Sequence, residues 1–400
     1  MILDSLELPS TWRRSPVSAH FRRVSRKGFD DKPLLSVYRE HGVVPRGFTD
    51  DNWNLMPTDL TAYQLVEPGD LAVNKMKAWQ GSLGLSQLEG VVSPAYFIYT
   101  PVSLSFDQRY LNYLIRSRLL AAEFARLSDG VRPQQWDLDP KAFERVPLPE
   151  PPMKEQRRIA DYLDRETATI DALIDKQLDL LAKLKERRST VIRHHLETGG
   201  YMADPVLGEV QLNKPGWRRM PAKRLCTIKT GGEDSGNATD EGEFPFYVRG
   251  ARVLRSDGYA FEGPAVLTPG DGQGGTGKVF HYAEGRFQAH QRVYVFHDFR
   301  GVAAKYFYYW LSTFLREIAL ANSYTVTMES LRQPLLERLP VFFPMDEAEQ
   351  DAIGRAIEVD VARIDALIAK AERFIELAQE RRAALITAAV TGQIEIPTED

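Results

Sequence analysis

The chain has 400 residues, which is long for one domain and enough for two or three. Hydrophobic residues make up 43% and charged residues 26%, a balance that argues against disordered and fibrous classes. The formal net charge of -4 argues against a stand-alone protein that wraps nucleic acid.

The compartment is indicated by the cysteine content and by the lack of long apolar runs. The single thiol, Cys226, cannot form an intrachain disulfide, which suits a reducing environment. The longest uncharged stretch, 90–106, contains Pro94 and Pro101 and is too short to span a membrane. The N-terminus lacks the basic start and apolar run of a secretory signal. We therefore expect a cytoplasmic protein.

Two globular halves of mixed α/β character are predicted from short β-branched and aromatic runs between glycine and proline turns. Each half is also expected to contain one amphipathic helix. The predicted strands are 71–73, 91–92 and 96–99 in the first half and 246–248, 265–267 and 293–296 in the second, and the helices are 110–127 and 305–320.

A long helix is predicted after each globular half, because apolar residues recur there at heptad spacing and proline is absent from 154–197 and 345–396. Gly199 and Gly392 stand where each helix should stop. At 1.5 Å per residue, each helix would be roughly 60 Å long. The apolar positions predicted to form the interface are Ile159, Leu163, Ile170, Leu173, Leu180, Leu184 and Val191 in the first helix, and Ile353, Ile357, Ile364, Leu367, Ala371, Phe374, Ala378 and Leu385 in the second.

The chain repeats itself with a period near half its length. Glu155-Gln156 recurs as Glu349-Gln350, and 170–174 recurs as 364–368. Weaker matches precede them, Trp12-Arg13-Arg14 with Trp217-Arg218-Arg219 and Pro68-Gly69-Asp70 with Pro269-Gly270-Asp271. The predicted order is therefore globular domain, long helix, globular domain, long helix.

The two apolar stripes are expected to cover each other, so the helices should pair as an antiparallel intramolecular coiled coil with approximate two-fold symmetry. The alternative is that each helix packs on its own globular domain. The predicted boundaries are 1–149 and 200–343 for the globular domains, 150–199 and 344–393 for the helices, and 394–400 for a tail.

Three patterns resemble catalytic motifs without completing them. The glycine-rich run 272–278 resembles a phosphate-binding loop, but Val279 replaces the Ser/Thr that would ligate Mg²⁺, so a hairpin loop is favoured. Ser93-Pro94-Ala95-Tyr96 lacks the Asn or Asp of an amino-methyltransferase motif. Asp70 followed by Lys75 and Lys77 lacks the second carboxylate of a nuclease, and the seven histidines show no metal-ligand spacing. The sequence therefore predicts a binding protein with no catalytic or metal-binding residues.

The repeated block resembles the specificity subunit of type I restriction–modification systems. Val146-Pro147-Leu148-Pro149-Glu150-Pro151-Pro152 leads into Glu155-Gln156, Ile170-Asp171-Ala172-Leu173-Ile174 and Glu186-Arg187-Arg188, and a second copy ends in Thr391-Gly392. In the first half, Asn74-Lys75-Met76-Lys77-Ala78-Trp79-Gln80-Gly81 and Gly90-Val91-Val92-Ser93-Pro94-Ala95-Tyr96 resemble one class of target-recognition domain in that family.

The resemblance implies an α+β chain in which two mixed α/β target-recognition domains, joined by the paired helices, each read one part of a split, asymmetric DNA sequence. The helices would fix the gap between the two parts. The subunit would be non-catalytic and bind no cofactor. It would hold two modification subunits that methylate adenine with S-adenosylmethionine, and restriction (motor-nuclease) subunits that use ATP and Mg would join them. The alternatives are a stand-alone DNA methyltransferase or nuclease and a coiled-coil adaptor that binds only protein.

Residues that contact DNA are expected among Arg, Lys and Gln on loops, which suit base edges and phosphates. Residues 341–400 hold six basic and thirteen acidic side chains, so the negative charge is concentrated in the last helix and tail. The near-neutral globular halves should gain little from counterion release. The predicted DNA-binding residues are Arg22, Arg23, Arg26, Lys27, Lys75, Lys77 and Gln80 in the first half, and Arg249, Arg252, Gln273, Lys278 and Gln291 in the second.

Overall fold

A computed structural model describes residues 2–39, 41–47, 59–132, 135–197, 215–271, 277–321 and 330–397 of the chain. Its contacts divide the chain into two compact units. Unit 1 comprises Met1–Leu178 with Arg373–Asp400, and unit 2 comprises Asp179–Glu372. Each long helix therefore contributes one part to each unit, and each unit contains one globular domain.

Unit 1 has a globular domain of short strands and helices. Its strands are β1 (Arg13–Pro16), β2 (Phe21–Val24), β3 (Leu35–Tyr38), β4 (Gly42–Pro45), β5 (Gln64–Val66), β6 (Leu71–Asn74), β7 (Leu83–Leu85), β8 (Gly90–Val92), β9 (Tyr96–Pro101), β10 (Ser128–Arg132), β11 (Gln135–Leu138) and β12 (Pro147–Glu150). Its short helices are α1 (Val17–His20), α2 (Gln108–Ile115), α3 (Arg118–Arg126) and α4 (Pro140–Glu144), and the long helix α5 (Met153–Glu197) follows.

The main sheet of unit 1 has the strand order β2-β9-β6-β7. Smaller antiparallel pairs join β3 to β4, β5 to β8, β10 to β11 and β1 to β12. The core packs this sheet against α2, α3 and the start of α5, with Tyr99, Tyr110 and Phe124 almost fully buried. The β1–β12 pair joins the two ends of the globular domain just before α5 begins.

Unit 2 has its own set of elements. Its strands are β13 (Trp217–Pro221), β14 (Thr227–Thr230), β15 (Phe244–Tyr247), β16 (Val253–Ser256), β17 (Phe261–Glu262), β18 (Ala265–Pro269), β19 (His281–Ala283), β20 (Arg286–Ala289), β21 (Val293–His297) and β22 (Pro340–Pro344). Its helices are α6 (Ala222–Leu225), α7 (Ala304–Ala321), α8 (Gln333–Glu337) and the first part of the long helix α9 (Glu347–Val390).

The main sheet of unit 2, β14-β21-β18-β19, repeats the sheet of unit 1 strand for strand. The β13–β22 pair repeats β1–β12. A second sheet, β16-β15-β20-β17, replaces the small strand pairs of unit 1. The core lies around α7, where Tyr306 and Phe307 are almost fully buried. The predicted repeat of mixed α/β domains is confirmed.

Two details of the sequence prediction were wrong. The predicted helix 110–127 is two helices, because Ser117 caps α3 by accepting a hydrogen bond from the Leu120 N–H. The match of Pro68-Gly69-Asp70 with Pro269-Gly270-Asp271 is not structural, since the first precedes β6 and the second ends β18 and follows it. Because β6 and β18 are equivalent strands, the two turns lie at opposite ends of that strand.

The long helices run antiparallel to each other. In unit 2, Lys185 lies 3.3 Å from Glu372, Arg188 lies 2.6 Å from Asp365, and His195 lies 2.5 Å from Asp360, so partners descend in α9 as they ascend in α5. Each helix also packs on its own globular domain: Ile159 of α5 lies in the core of unit 1, and Ile357 of α9 lies in the core of unit 2. Both of the packing arrangements considered from the sequence therefore occur together.

Residues that are equivalent in the sequence repeat form equivalent ion pairs between the helices. In unit 1, Arg382 Nε and Nη2 donate to the two carboxylate oxygens of Asp171, at 2.8 and 3.2 Å. In unit 2, Arg188 makes the same bonds to Asp365, at 2.6 and 3.4 Å. Burial alone would lower the pKa of Arg188, but the hydrogen bond and charge of Asp365 outweigh it and raise that pKa.

One of the two predicted apolar rows forms the buried seam between the helices, and the other needs correction. Of the predicted positions, Ile159, Leu163, Ile170, Leu184, Ile357, Ile364 and Ala371 are buried, and Val191, Ile353, Ala378 and Leu385 are half-buried. Four are exposed by 41–44%, namely Leu173, Leu180, Leu367 and Phe374.

The second buried row lies four residues after the first, at Thr167, Ile174 and Val361. The prediction placed it three residues after the first. A shift of one residue rotates a helical side chain by about 100°, which moves it out of the seam.

A buried glutamine at the start of each long helix joins that helix to its globular domain. Gln156 is fully buried, accepts from the Asp107 N–H at 2.7 Å and donates to the carbonyls of Ser105 and Pro151, both at 2.9 Å. Gln350 is also fully buried and makes the same three kinds of bond: it accepts from Ala303 and donates to Gly301 and Pro344. This explains why the glutamine of the Glu-Gln pair occurs twice.

The segment after α9 returns to the first residues of unit 1. Ile396 is 5% exposed and packs in the same core as Leu3 and Trp12. Gly392, with φ of 70°, lies against Pro9 and Trp12. The described part of the predicted tail is thus packed. No helix in the described ranges is long and apolar enough to cross a membrane.

Candidate nucleic-acid interface

The loops predicted to contact DNA occupy equivalent places in the two units. Lys75, Lys77 and Gln80 lie between β6 and β7, which pair as antiparallel neighbours. Lys278 lies between β18 and β19, the matching pair in unit 2. Gln273 belongs to the same loop but is outside the described residues. We call these the β6–β7 loop and the β18–β19 loop.

The β6–β7 loop is held at its first residue, Lys75, by two backbone hydrogen bonds. The Lys75 N–H donates to the Ala95 carbonyl at 3.2 Å, and the Lys75 carbonyl accepts from the Leu138 N–H at 2.9 Å. Gly81, with φ of 87°, ends a short 3₁₀ turn and bends the chain back into β7. The loop therefore presents its side chains from a fixed backbone.

A tryptophan pair joins this loop to the β10–β11 hairpin. The rings of Trp79 and Trp136 lie 5.1 Å apart, and the Trp79 indole N–H donates to the Met76 carbonyl at 3.0 Å. The Lys75 Nζ lies 3.3 Å from Asp137. The sequence analysis did not propose Trp136 or this hairpin, and only the presence of a polar, aromatic run before Asp139 could have pointed to them.

The predicted basic residues that follow β1 differ in the contacts that their side chains make. Arg26 bonds to Glu67 and to Asp70, which is 2% exposed and also accepts from the Thr100 hydroxyl at 2.9 Å. Arg26 therefore stabilises the turn before β6, and its contact with DNA stays a prediction. The Arg23 guanidinium lies 4.2 Å from the centre of the Phe97 ring.

In unit 2, the predicted residues around the turn after β18 also meet carboxylates. Arg249 lies 3.7 Å from Asp271, and Arg292 lies 2.9 Å from the same side chain. The Gln291 amide donates to Asp234 at 3.3 Å. Arg249 is thus part of a local ion-pair cluster, although its side chain is half exposed.

Five of the predicted residues are exposed and make no ion pair or hydrogen bond through their side chains within the described residues. They are Arg22, Lys27, Lys77, Arg252 and Lys278. Exposed cations without intramolecular partners are available to phosphates, whereas Arg26 and Arg249 would have to leave a carboxylate first.

Two histidines of unit 2, His281 and His290, do not add positive charge at neutral pH. Burial lowers the pKa of His281, which lies 3.2 Å from the Gly250 carbonyl. Burial also lowers the pKa of His290, and Arg249 adds to this effect. Burial raises the pKa of the Cys226 thiol to about 12, so this cysteine stays protonated. Among the described residues, no group of three or more His, Cys, Asp or Glu side chains is placed to hold a metal ion.

Comparison with known proteins shows a similarity to one family in the second half of the chain. Residues 215–373 match the family described as "Type I restriction modification DNA specificity domain". The type I restriction enzyme EcoDI specificity subunit of Escherichia coli is 25% identical over 178 residues, 44% of this chain and 38% of that protein. The matched stretch thus spans less than half of the relative's length.

The likeness of fold extends over the whole chain. A solved structure on complex assembly and conformational transition of the type I R-M system contains a chain that aligns over 97% of this one and 100% of its own length. The TM-score is 0.63 at 14% identity. The fold predicted from the resemblance, with two domains and a long-helix pair, is confirmed.

Proposed function

We propose that this chain, a member of the type I restriction–modification specificity subunit family, recognises a two-part DNA sequence, with one part read by each unit. The observation that carries this proposal is the repeated placement of one loop. The β6–β7 and β18–β19 loops leave equivalent strands of equivalent sheets, and each presents an exposed lysine, Lys77 or Lys278.

The two loops differ in sequence although their frameworks match. The first is built around Trp79 and Gln80, and the second around glycines. Equivalent frameworks with different loops suit two readers of different base sequences, because base edges are distinguished by the side chains that reach them. An asymmetric two-part target follows from this difference.

The chain itself is proposed to be non-catalytic and to bind no cofactor. Two modification subunits would supply adenine methylation with S-adenosylmethionine, and restriction subunits would supply ATP- and Mg-dependent cleavage. A DNA-reading subunit of this kind would work in the cytoplasm, where these partners meet DNA. The net charge of -4 supports weak binding by the isolated chain, so that partners would be needed for a firm grip.

The test is a gel-shift and methylation assay with the purified chain and an adenine-specific modification subunit. The complex should bind one duplex sequence well above a shuffled one and methylate it, and neither protein alone should methylate. Methylation by the chain alone would show an enzyme. Partner binding without any preference among DNA sequences would show a protein-only adaptor.

A further inference from the structure

Beside each candidate loop lies an open cavity with a basic lining. The cavity of unit 1, of about 370 Å³, lies among the end of the β6–β7 loop, α2, α3 and the last part of α9. The cavity of unit 2, of about 570 Å³, lies among the end of the β18–β19 loop, α7 and the last part of α5. They are built from equivalent elements, so we call them the paired basic cavities.

Among the described lining residues, the cationic side chains outnumber the acidic ones in both cavities. Arg39, Arg116, Arg118 and Arg382 line the first, and no carboxylate is found among the described residues of that lining. Arg188, Arg193, Lys278 and Arg316 line the second, together with Glu317, which Arg193 neutralises. Asp171 pairs with Arg382, and Asp365 pairs with Arg188. Arg118 in unit 1, and Lys278 with Arg316 in unit 2, form no ion pair within the described residues, so they leave positive charge in each cavity.

Some of these cations have no intramolecular role. Arg118, at the start of α3, and Arg316, on α7, are exposed and have no ion-pair or hydrogen-bond partner for their side chains within the described residues. Lys278 is also exposed and has no such partner within the described residues. Polar side chains accompany them, Asn112 and Ser117 in unit 1 and Ser312, whose hydroxyl donates to the Tyr309 carbonyl at 3.1 Å, in unit 2. Exposed cations beside neutral polar side chains suit a phosphodiester oxygen.

We propose that each of the paired basic cavities binds a backbone phosphate of the DNA whose bases the adjoining loop reads. Arg118 would be the principal contact in unit 1, and Lys278 with Arg316 in unit 2. This inference rests on the proposed function. The phosphate backbone is the part of a duplex that is the same at both halves of an asymmetric site. The cavities have the same sign of charge and the same placement, whereas the loops differ.

An acidic segment of a partner protein is the competing occupant. DNA is favoured because the lining of each cavity includes residues of the candidate loop itself, Gln80 with Gly81 in unit 1 and Gly277 with Lys278 in unit 2. A duplex held by that loop would therefore bring its own phosphates to the cavity.

The experiment measures binding by fluorescence anisotropy over a range of salt concentrations. It uses the full chain assembled with its modification subunit, on a duplex carrying the methylated sequence and on a shuffled duplex. The variants are Arg118→Ala, Arg316→Ala and the double variant Lys278→Ala with Arg316→Ala. The matched controls are Arg13→Ala and Arg224→Ala, which remove the same charge from exposed arginines that line neither cavity.

Loss of one phosphate contact should lower the slope of log affinity against log salt by about 0.9 and weaken binding about fivefold at about 0.15 M salt. The effect of Arg118→Ala should be the same on both duplexes, with the methylated sequence unchanged, and Arg118→Lys should retain most of the affinity. The double variant in unit 2 should lose more than Arg316→Ala alone.

The inference is overturned when the cavity variants and the controls have the same slope. It is also overturned, in favour of an acidic protein segment, when the cavity variants keep the slope but no longer bind the modification subunit. A wild-type complex that binds both duplexes equally would instead contradict the proposed function. The two failures are therefore distinguishable.

Discussion

Buried polar residues occupy equivalent positions in the two units and make equivalent hydrogen bonds there. Gln156 and Gln350 each satisfy one backbone N–H and two carbonyls where a long helix leaves its domain. Tyr110 and Tyr306 add a second repeated contact, since their hydroxyls donate to the carbonyls of Pro149 and Phe342. A buried polar group without its partner costs free energy, which restricts these positions to side chains that can make all the bonds.

Replacement of Gln156 by alanine should lower the free energy of unfolding by about 2–4 kcal/mol, because three backbone groups lose a buried partner and a cavity remains. Gln350→Ala should have a similar effect through unit 2. Urea unfolding of the full chain would measure both.

Gln379→Ala is the matched control for these glutamine variants, because this glutamine is exposed on α9. It should change the stability by less than about 0.5 kcal/mol. Equal losses for Gln156→Ala and Gln379→Ala would show that the buried network does not stabilise the start of α5.

The long helices are held by apolar side chains more than by their ion pairs. Side-chain exposure is 34% and 49% in the Arg382–Asp171 pair, and 34% and 45% in the Arg188–Asp365 pair. Ion pairs exposed to this extent contribute about 0.2–1 kcal/mol, so they favour one register without supplying most of the stability. Buried Ile170, Ile174 and Ile364 supply the larger part.

Truncation of two neighbouring apolar residues of α5 should therefore lower the free energy of unfolding by very different amounts. Ile174 is 9% exposed and Leu173 is 44% exposed. Ile174→Ala should cost about 2–4 kcal/mol of unfolding free energy, and Leu173→Ala less than about 1 kcal/mol. Thermal and urea unfolding of the two variants would measure the difference. A larger loss of unfolding free energy for Leu173→Ala than for Ile174→Ala would contradict the observed seam. It would instead support the interface position that the sequence predicted for Leu173.

At the scale of the whole molecule, each globular domain is bounded by one strand pair. The Val17 N–H donates to the Val146 carbonyl at 3.1 Å just inside the β1–β12 pair, and the Ala222 N–H donates to the Leu339 carbonyl at 3.0 Å just inside β13–β22. Each unit has its own hydrophobic core. Exchange of a domain inside its strand pair would therefore leave that pair and the helix intact.

A chain in which residues 222–339 replace residues 17–146 should read the same half-sequence in both units. Sequencing of methylated DNA, after expression with the modification subunit, should show a target whose two parts are the same, where the parent chain gives two different parts. Retention of the parent target, or a change in both parts, would contradict separate reading by the two units.

The reciprocal exchange is the control for this experiment. When residues 17–146 replace residues 222–339, the other half-sequence should appear twice. Loss of activity in one exchange but not in the other would point to a packing fault at one strand pair, which the thermal unfolding of that chain would show.

The sequence by itself determined the repeat and the two long helices, because these depend on local periodicity and on motifs that occur twice. Glu155-Gln156 and Glu349-Gln350 marked both helix starts, and the strands at 71–73 and 265–267 were correctly predicted from their composition. Only the tertiary structure decided which apolar row is buried, because Leu173 and Ile174 are equally hydrophobic and differ only in the direction they face. Only the tertiary structure showed that Arg26 bonds to Asp70, a residue distant in the sequence, and that the loops of Lys77 and Lys278 are equivalent. Charge on a side chain is a local property, but its availability to DNA depends on which carboxylates the fold brings beside it.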